Sequence, residues 1–115
     1  MTDCSPSLSF RIDFPNGARF GPGKAALLKG LIETGSIKAS ATALGMSYPR
    51  ALKLIEQLNE KFEGPIVETQ TGGKSGGGAT VTKLGRRVVS LYDEICADAT
   101  RVNRTILKTL TELSA

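Results

Sequence analysis

The 115-residue chain contains no histidine. That omission removes the commonest general base, the Ser–His and Cys–His nucleophile pairs, and the most frequent metal ligand. Cys4 and Cys96 stand far apart near opposite ends of the chain, so they form neither a CxxC metal pair nor a disulfide framework. Neither has the flanking basic cluster that would make its thiol a redox sensor. Gly73-Lys74-Ser75 has the look of the end of a nucleotide-binding P-loop, but the first glycine of GxxxxGK[ST] would fall on Glu68, and three glycines follow where a helix should begin. Gly21-Pro22-Gly23-Lys24-Ala25-Ala26 fits a relaxed dinucleotide pattern, yet residues 34 to 55 hold no acid for a ribose and no parallel βαβ unit follows. Lys, Ser, Asp and Glu are present without any pair at a spacing that suggests a catalytic site. No enzymatic activity, metal or cofactor is therefore expected.

Charge is more informative. Fifteen Lys and Arg against eleven Asp and Glu give a formal +4, a mild pointer to an anionic partner. Placement sharpens it. Between Glu33 and Glu56 the chain carries Lys38, Arg50 and Lys53 with no acid, and between Glu68 and Asp93 it carries Lys74, Lys83, Arg86 and Arg87, again with no acid. A polyanion would meet both stretches together if the elements bearing them lay side by side.

The elements follow from periodicity. Apolar residues make up 40%, charged 23% and aromatic 5% of the chain, a globular mixture of single-domain size, so residues 1–115 read as one domain. Leu8, Phe10, Ile12 and Phe14 alternate as on a half-buried strand, and Pro15-Asn16-Gly17 turns the chain back through Ala18-Arg19-Phe20, giving a hairpin over 8–20. Three helices are expected over 22–62. The first carries Leu27, Leu28, Leu31 and Ile32. The second is capped by Ser36 and places Ile37, Ala41 and Leu44 on one face. The third is capped by Ser47, tolerates Pro49 in its first turn, and places Ala51, Leu54, Ile55, Leu58 and Phe62 in one stripe.

The second and third helices, joined by a short turn at Gly45-Met46, have helix-turn-helix spacing over 36–62, with Leu44, Met46, Ala51 and Leu54 as expected buried contacts. Arg50, Lys53 and Gln57 then face outward, and Ser47, Tyr48 and Arg50 lie at the end that touches base edges in such motifs. A β-branched hairpin over 66–82, with Lys74 and Ser75 in its glycine-rich tip, reads as a wing. From 83 to 113 one long helix is expected, about 45 Å at about 1.5 Å per residue. Its seam of Leu84, Val88, Leu91, Ile95, Val102, Ile106 and Leu110 is too long for so small a domain to cover and predicts pairing with a second copy. The expected fold is thus mainly α with small β-hairpins: a winged helix-turn-helix with a long C-terminal dimerisation helix.

Gly35-Ser36-Ile37, Ala43-Leu44-Gly45-Met46-Ser47-Tyr48, Thr71-Gly72-Gly73-Lys74-Ser75-Gly76-Gly77-Gly78-Ala79, Leu84-Gly85 and Leu91-Tyr92-Asp93 together resemble the N-terminal DNA-binding domain of ModE-type molybdate-responsive transcription regulators. The resemblance runs from about residue 8 to residue 100, and the glycine-rich wing is its most specific part. The helix-turn-helix is similar to that of the broader LysR-like winged helices. The resemblance implies a winged helix that dimerises through its helices, with DNA-contact roles for Ser47, Tyr48, Arg50, Lys53 and Lys74. Full-length members also carry a C-terminal pair of oxyanion-binding Mop-like modules. Nothing in residues 1–115 matches them, so no molybdate site is expected in this chain.

The combined expectation is sequence-specific binding of double-stranded DNA by a homodimeric, cytoplasmic transcription regulator, of molybdate or other metal-uptake genes by family implication alone. Lys38, Ser47, Tyr48, Arg50, Lys53, Gln57, Lys74, Ser75 and Lys83 are the candidate contacts. No secretory leader or membrane span is read in the sequence. The competing interpretation is a protein-interaction module that uses the same scaffold without specific DNA binding. The plainest one is a small helical domain whose basic face is merely solvated.

Overall fold

The computed structural model describes residues 6–70 and 78–115. Among them are five helices and two antiparallel strand pairs, so the fold is mainly α with small β elements. The order is β1 (Ile12–Asp13), β2 (Arg19–Phe20), α1 (Pro22–Thr34), α2 (Ile37–Ala43), α3 (Tyr48–Lys61), β3 (Val67–Gln70), β4 (Gly78–Val81), α4 (Lys83–Val102) and α5 (Arg104–Leu113).

The first strand is much shorter than the alternation over Leu8–Phe14 predicts. Only Ile12 and Asp13 pair, with Phe20 and Arg19. The returning segment reaches Gly21-Pro22 after three residues, which leaves residues 8–11 without a ladder partner. Their period of two survives in burial nonetheless: Leu8, Phe10, Ile12 and Phe14 are half-buried while Ser9, Arg11 and Asp13 are exposed. The turn closes through Phe14 N–H to Ala18 O at 2.8 Å, with Gly17 at φ 88° supplying the left-handed residue.

Helix boundaries have local causes. Pro22 opens α1, where its missing N–H costs nothing, and Gly35 closes it at φ 67° with its N–H on Leu31 O. The Ser36 hydroxyl accepts from Ala39 N–H and starts α2, and the Ser47 hydroxyl accepts from Arg50 N–H and starts α3. Helices α1 and α2 approach closely at Gly30, where an added Cβ would lie 3.0 Å from the Ser40 hydroxyl. That buried hydroxyl donates to Ser36 O at 2.8 Å, so the contact is polar but satisfied.

Leu27, Leu28 and Leu31 of α1, Ala51, Ile55 and Leu58 of α3, and Val67, Ala79 and Val81 of the strand pair form the core with Phe20, Ile66, Val89 and Tyr92. Leu44 corrects the expectation. Helix α2 ends at Ala43, and Leu44, as its C-cap at φ −96°, ψ 1°, turns away from the face shared by Ile37 and Ala41 and is 40% exposed. Met46, Leu54 and Phe62 are half-buried rather than buried, Phe62 meeting Phe14 edge-on with ring centroids 5.8 Å apart.

The expected single helix over 83–113 is also corrected: it is interrupted at Asn103. The Asn103 side chain donates to Ala99 O at 2.7 Å while its own N–H reaches the same carbonyl at 3.1 Å, and the backbone there moves to φ −100°, ψ 13°. Hydrogen bonding resumes at once with Leu107 N–H on Asn103 O at 2.8 Å. Helix α5 buries nothing. The Cα radius of gyration is 16.5 Å and the longest dimension 54 Å, against about 13 Å expected for the radius of a compact chain this long. The helical arm accounts for the elongation.

Candidate nucleic-acid interface

The outward edge of α3 is set by its inward one. Ala51, Ile55 and Leu58 are buried at 0%, 2% and 1% exposure, which fixes the rotation of the helix and leaves Ser47, Tyr48, Arg50, Lys53 and Gln57 exposed. The N-terminal end is held against α2 by Met46 N–H donating to Ala41 O at 3.0 Å, across a turn in which Gly45 takes φ 68°. Small residues permit the close crossing: Ala41 and Ala51 are both buried. The Ser47 oxygen is engaged by Arg50 N–H at 3.2 Å, which leaves its O–H free to donate elsewhere.

Lys38 on α2 and Lys83 at the start of α4 are exposed as well. The ion pairs among the described residues lie elsewhere: Arg11 and Arg19 with Asp13, Lys29 with Asp93 at 2.8 Å, and Arg101 with Asp98. Among the described residues, Lys38, Arg50, Lys53 and Lys83 have no carboxylate partner, which suits a surface that meets an external anion.

The strand pair β3–β4 is tied to the helices from both sides. Asn59, on α3, accepts from Ile66 N–H at 2.8 Å and Val67 N–H at 3.0 Å, and its amide donates to Val67 O at 3.0 Å. On the other strand Ala79 N–H reaches Gly35 O at the end of α1 at 3.0 Å. The Thr82 hydroxyl donates to Pro65 O at 2.7 Å and accepts from Gly85 N–H at 3.0 Å, joining the base of the strand pair to the first turn of α4. Gly85 is obligatory there, since a Cβ would lie 2.5 Å from Ile66 O and 2.7 Å from a Val81 methyl. Val67 pairs with Val81 and Gln70 with Gly78. Lys74 and Ser75, the expected wing contacts, lie outside the described residues.

The seam expected on the C-terminal helix divides in two. Leu84 and Val88 are half-buried against this chain's own core. Leu91, Ile95, Val102, Ile106 and Leu110 are exposed, with Leu113 beside them. The division arises because α4 begins under the strand pair and stays on the domain as far as Cys96, held at Tyr92, whose hydroxyl donates to Phe10 O at 2.8 Å and whose ring packs edge-on against Phe20.

Asn59, Ser40 and Tyr92 were not singled out by residue type or spacing. Asn59 sits beside the apolar stripe as an ordinary polar helix residue, and nothing local marks it as the anchor of the strands. No group of three or more Cys, Asp or Glu placed to hold a metal occurs among the described residues, and no helix of theirs is long and apolar enough to cross a membrane.

No protein-family model matches the chain. Among curated proteins, it is 36% identical over 94 residues to the molybdenum-pterin-binding protein MopB of Rhodobacter capsulatus, covering 82% of this chain and 35% of MopB. It is 46% identical over 72 residues to the transcriptional regulator ModE of Yersinia pestis, covering 63% of this chain and 27% of that protein. Over an equal length it is 43% identical to the DNA-binding transcriptional dual regulator ModE of Escherichia coli K12. The chain thus spans about a third or less of the curated relatives it matches, and its similarity is to one part of molybdenum-related regulators and binding proteins.

Proposed function

We propose that the chain is a winged-helix domain that binds double-stranded DNA as a homodimer and acts in transcription regulation, with molybdate or other metal-uptake genes as its targets. The observation that carries this reading is the basic edge of α3, unpaired among the described residues, with Lys38 exposed on the adjoining α2 and Lys83 exposed at the start of α4. The names of the ModE relatives support the regulatory role.

On this reading the N-terminal end of α3 enters the major groove. Arg50 can place two donors on the O6 and N7 acceptors of a guanine, the free Ser47 O–H and the Tyr48 ring contact neighbouring base edges or phosphates, and Gln57 follows further along the helix. Lys38, Lys53 and Lys83 neutralise phosphates, and Lys74 and Ser75 extend the contact from the wing onto the backbone or minor groove. A two-fold dimer would read half-sites separated by about one helical turn, about 34 Å.

A mobility-shift titration of duplex DNA at several salt concentrations tests the proposal. Arg50→Ala weakens binding to the preferred sequence by ~1–3 kcal/mol, while Lys74→Ala weakens all sequences alike and reduces the salt slope by ~1. Affinity that does not change with salt would remove the reading, because a phosphate-bound protein must release counterions.

A further inference from the structure

We propose that Tyr48 reads a thymine in the major groove through the 5-methyl group of the base. The inference rests on the duplex-binding reading above and names the chemical group that one exposed residue of α3 recognises. Eight large hydrophobic residues are exposed among those described, and six of them lie on α4 and α5. The other two are Leu44, the C-cap of α2, and Tyr48, the first residue of α3. Tyr48 is 49% exposed, while Ala51, Ile55 and Leu58 supply the buried contacts of the same helix. Packing of the core therefore does not call for an aromatic ring at this position.

The surroundings of the ring select its occupant. From residue 34 to residue 55 the chain holds no acid but carries Lys38, Arg50 and Lys53, and all three are exposed. An apolar ring set in a cationic surface suits a polyanion that also presents an apolar group. Duplex DNA offers such a group in the major groove, the thymine methyl, among base edges that are otherwise hydrogen-bond donors and acceptors. The position of the ring is constrained from both sides. Ser47 caps α3 by accepting from Arg50 N–H at 3.2 Å, and Pro49 in the first turn has its φ fixed by its own ring. Tyrosine itself has only two side-chain torsions to order, so the contact costs little conformational entropy. Arg50, two residues on, offers donors to the acceptors of a guanine, so one helix end reads an apolar and a polar feature together.

The test uses the full chain and the duplex that it selects from a random-sequence pool, synthesised once with thymine and once with uracil, which lacks only the 5-methyl group. Loss of one buried methyl should weaken binding about fourfold per half-site, hence about fifteenfold for a two-fold dimer. Replacing one thymine at a time should confine the penalty to one position in each half-site. Tyr48→Ala should weaken binding to the thymine duplex and bring its affinity for the two duplexes within about twofold of each other. Tyr48→Phe keeps the ring and should keep the discrimination of the parent.

Equal affinity of the parent chain for the two duplexes overturns the proposal. So does a uracil penalty that Tyr48→Ala leaves intact, since it would arise from the duplex or from another residue. A penalty spread evenly over the thymines assigns recognition to duplex shape and overturns it as well, as does a selected site without A·T pairs. Unchanged duplex affinity in Tyr48→Ala overturns it and leaves the ring to a protein partner. In each of these cases duplex binding itself stands if affinity still falls with salt, whereas failure to select any duplex, or affinity independent of salt, removes both readings.

Discussion

Replacing Asn59 by alanine should loosen the strand pair from α3 and damage stability and duplex binding together. The Asn59 side chain makes three hydrogen bonds to the backbone of Ile66 and Val67, which are 0% and 2% exposed, so water cannot replace it without opening the core. Each bond contributes ~1 kcal/mol net, and each backbone group left buried without a partner costs ~1–3 kcal/mol. Allowing for partial relaxation, the loss is ~3–4 kcal/mol. At about 4 °C per kcal/mol for a domain this long, the melting midpoint should fall by about 12–16 °C. Asn59→Asp keeps both acceptor interactions but sets a carboxylate oxygen against the Val67 carbonyl, so it should fall between alanine and the parent. Thermal and urea melts at one fixed protein concentration provide the comparison, with the duplex titration repeated well below each midpoint. If Asn59→Ala costs under ~1 kcal/mol, the strands are held by their apolar face alone and the anchoring argument is wrong.

Gly85→Ala should cost ~2–3 kcal/mol by forcing a methyl onto the Ile66 carbonyl, and a melt unchanged from the parent would show that α4 can shift freely under the strands. Ser47→Ala removes the α3 cap and should cost ~1 kcal/mol; an effect on duplex affinity larger than the stability change accounts for would assign the free O–H a contact of its own. Burial, then the Cys96 thiol beside it and the nearby Asp93 carboxylate, push the Tyr92 phenol above its ordinary value of 10.0. The folded state therefore favours the neutral phenol: the stability it contributes is complete below pH 10 and is lost as the pH rises through the folded value. Tyr92→Phe should cost ~1 kcal/mol near neutrality for the lost bond to Phe10 O and should flatten that alkaline decline, measured by urea melts from pH 8 to 11.

What was legible in the sequence was whatever a short window specifies. Ser36, Gly35, Ser47 and Gly45 mark caps and turns because the conformation at each depends on the residue and its immediate neighbours. The stripe Ala51, Ile55 and Leu58 fixes which side of α3 faces out, and so Arg50 and Lys53 could be placed from sequence. Leu44 misled because its spacing from Ala41 continues a helical face that the chain abandons one residue earlier. The strand at residues 8–11 failed for a non-local reason: a β-ladder needs a partner, and β2 supplies two residues. Asn59 was invisible for the same kind of reason, since its role exists only once Ile66 and Val67 pass beneath it.

The C-terminal helix shows how one periodic pattern can serve two surfaces. Read as a single seam, Leu84 to Leu110 suggests that every position belongs to a second copy. In the folded chain the early turns of α4 lie under the strand pair, held by the Thr82 cap and by a glycine that admits no side chain, while the later turns and α5 carry the exposed stripe. The inward face of α4 carries Val89 and Tyr92, buried, with Val88 and Cys96, half-buried, while Leu91 and Ile95 are exposed on its other side. The helix that positions the base of the strand pair is therefore the helix proposed to set the distance to the second copy. On the proposed reading, the strand pair moves with the dimer axis unless α4 bends, and Asn103 lies beyond the last residue that contacts the domain core. A stiffer junction, as in Asn103→Ala, would then leave duplex affinity for a two-half-site probe unchanged or improved. A loss of affinity through weakened half-site cooperation would show that the interruption at Asn103 is needed to fit the two copies onto one duplex.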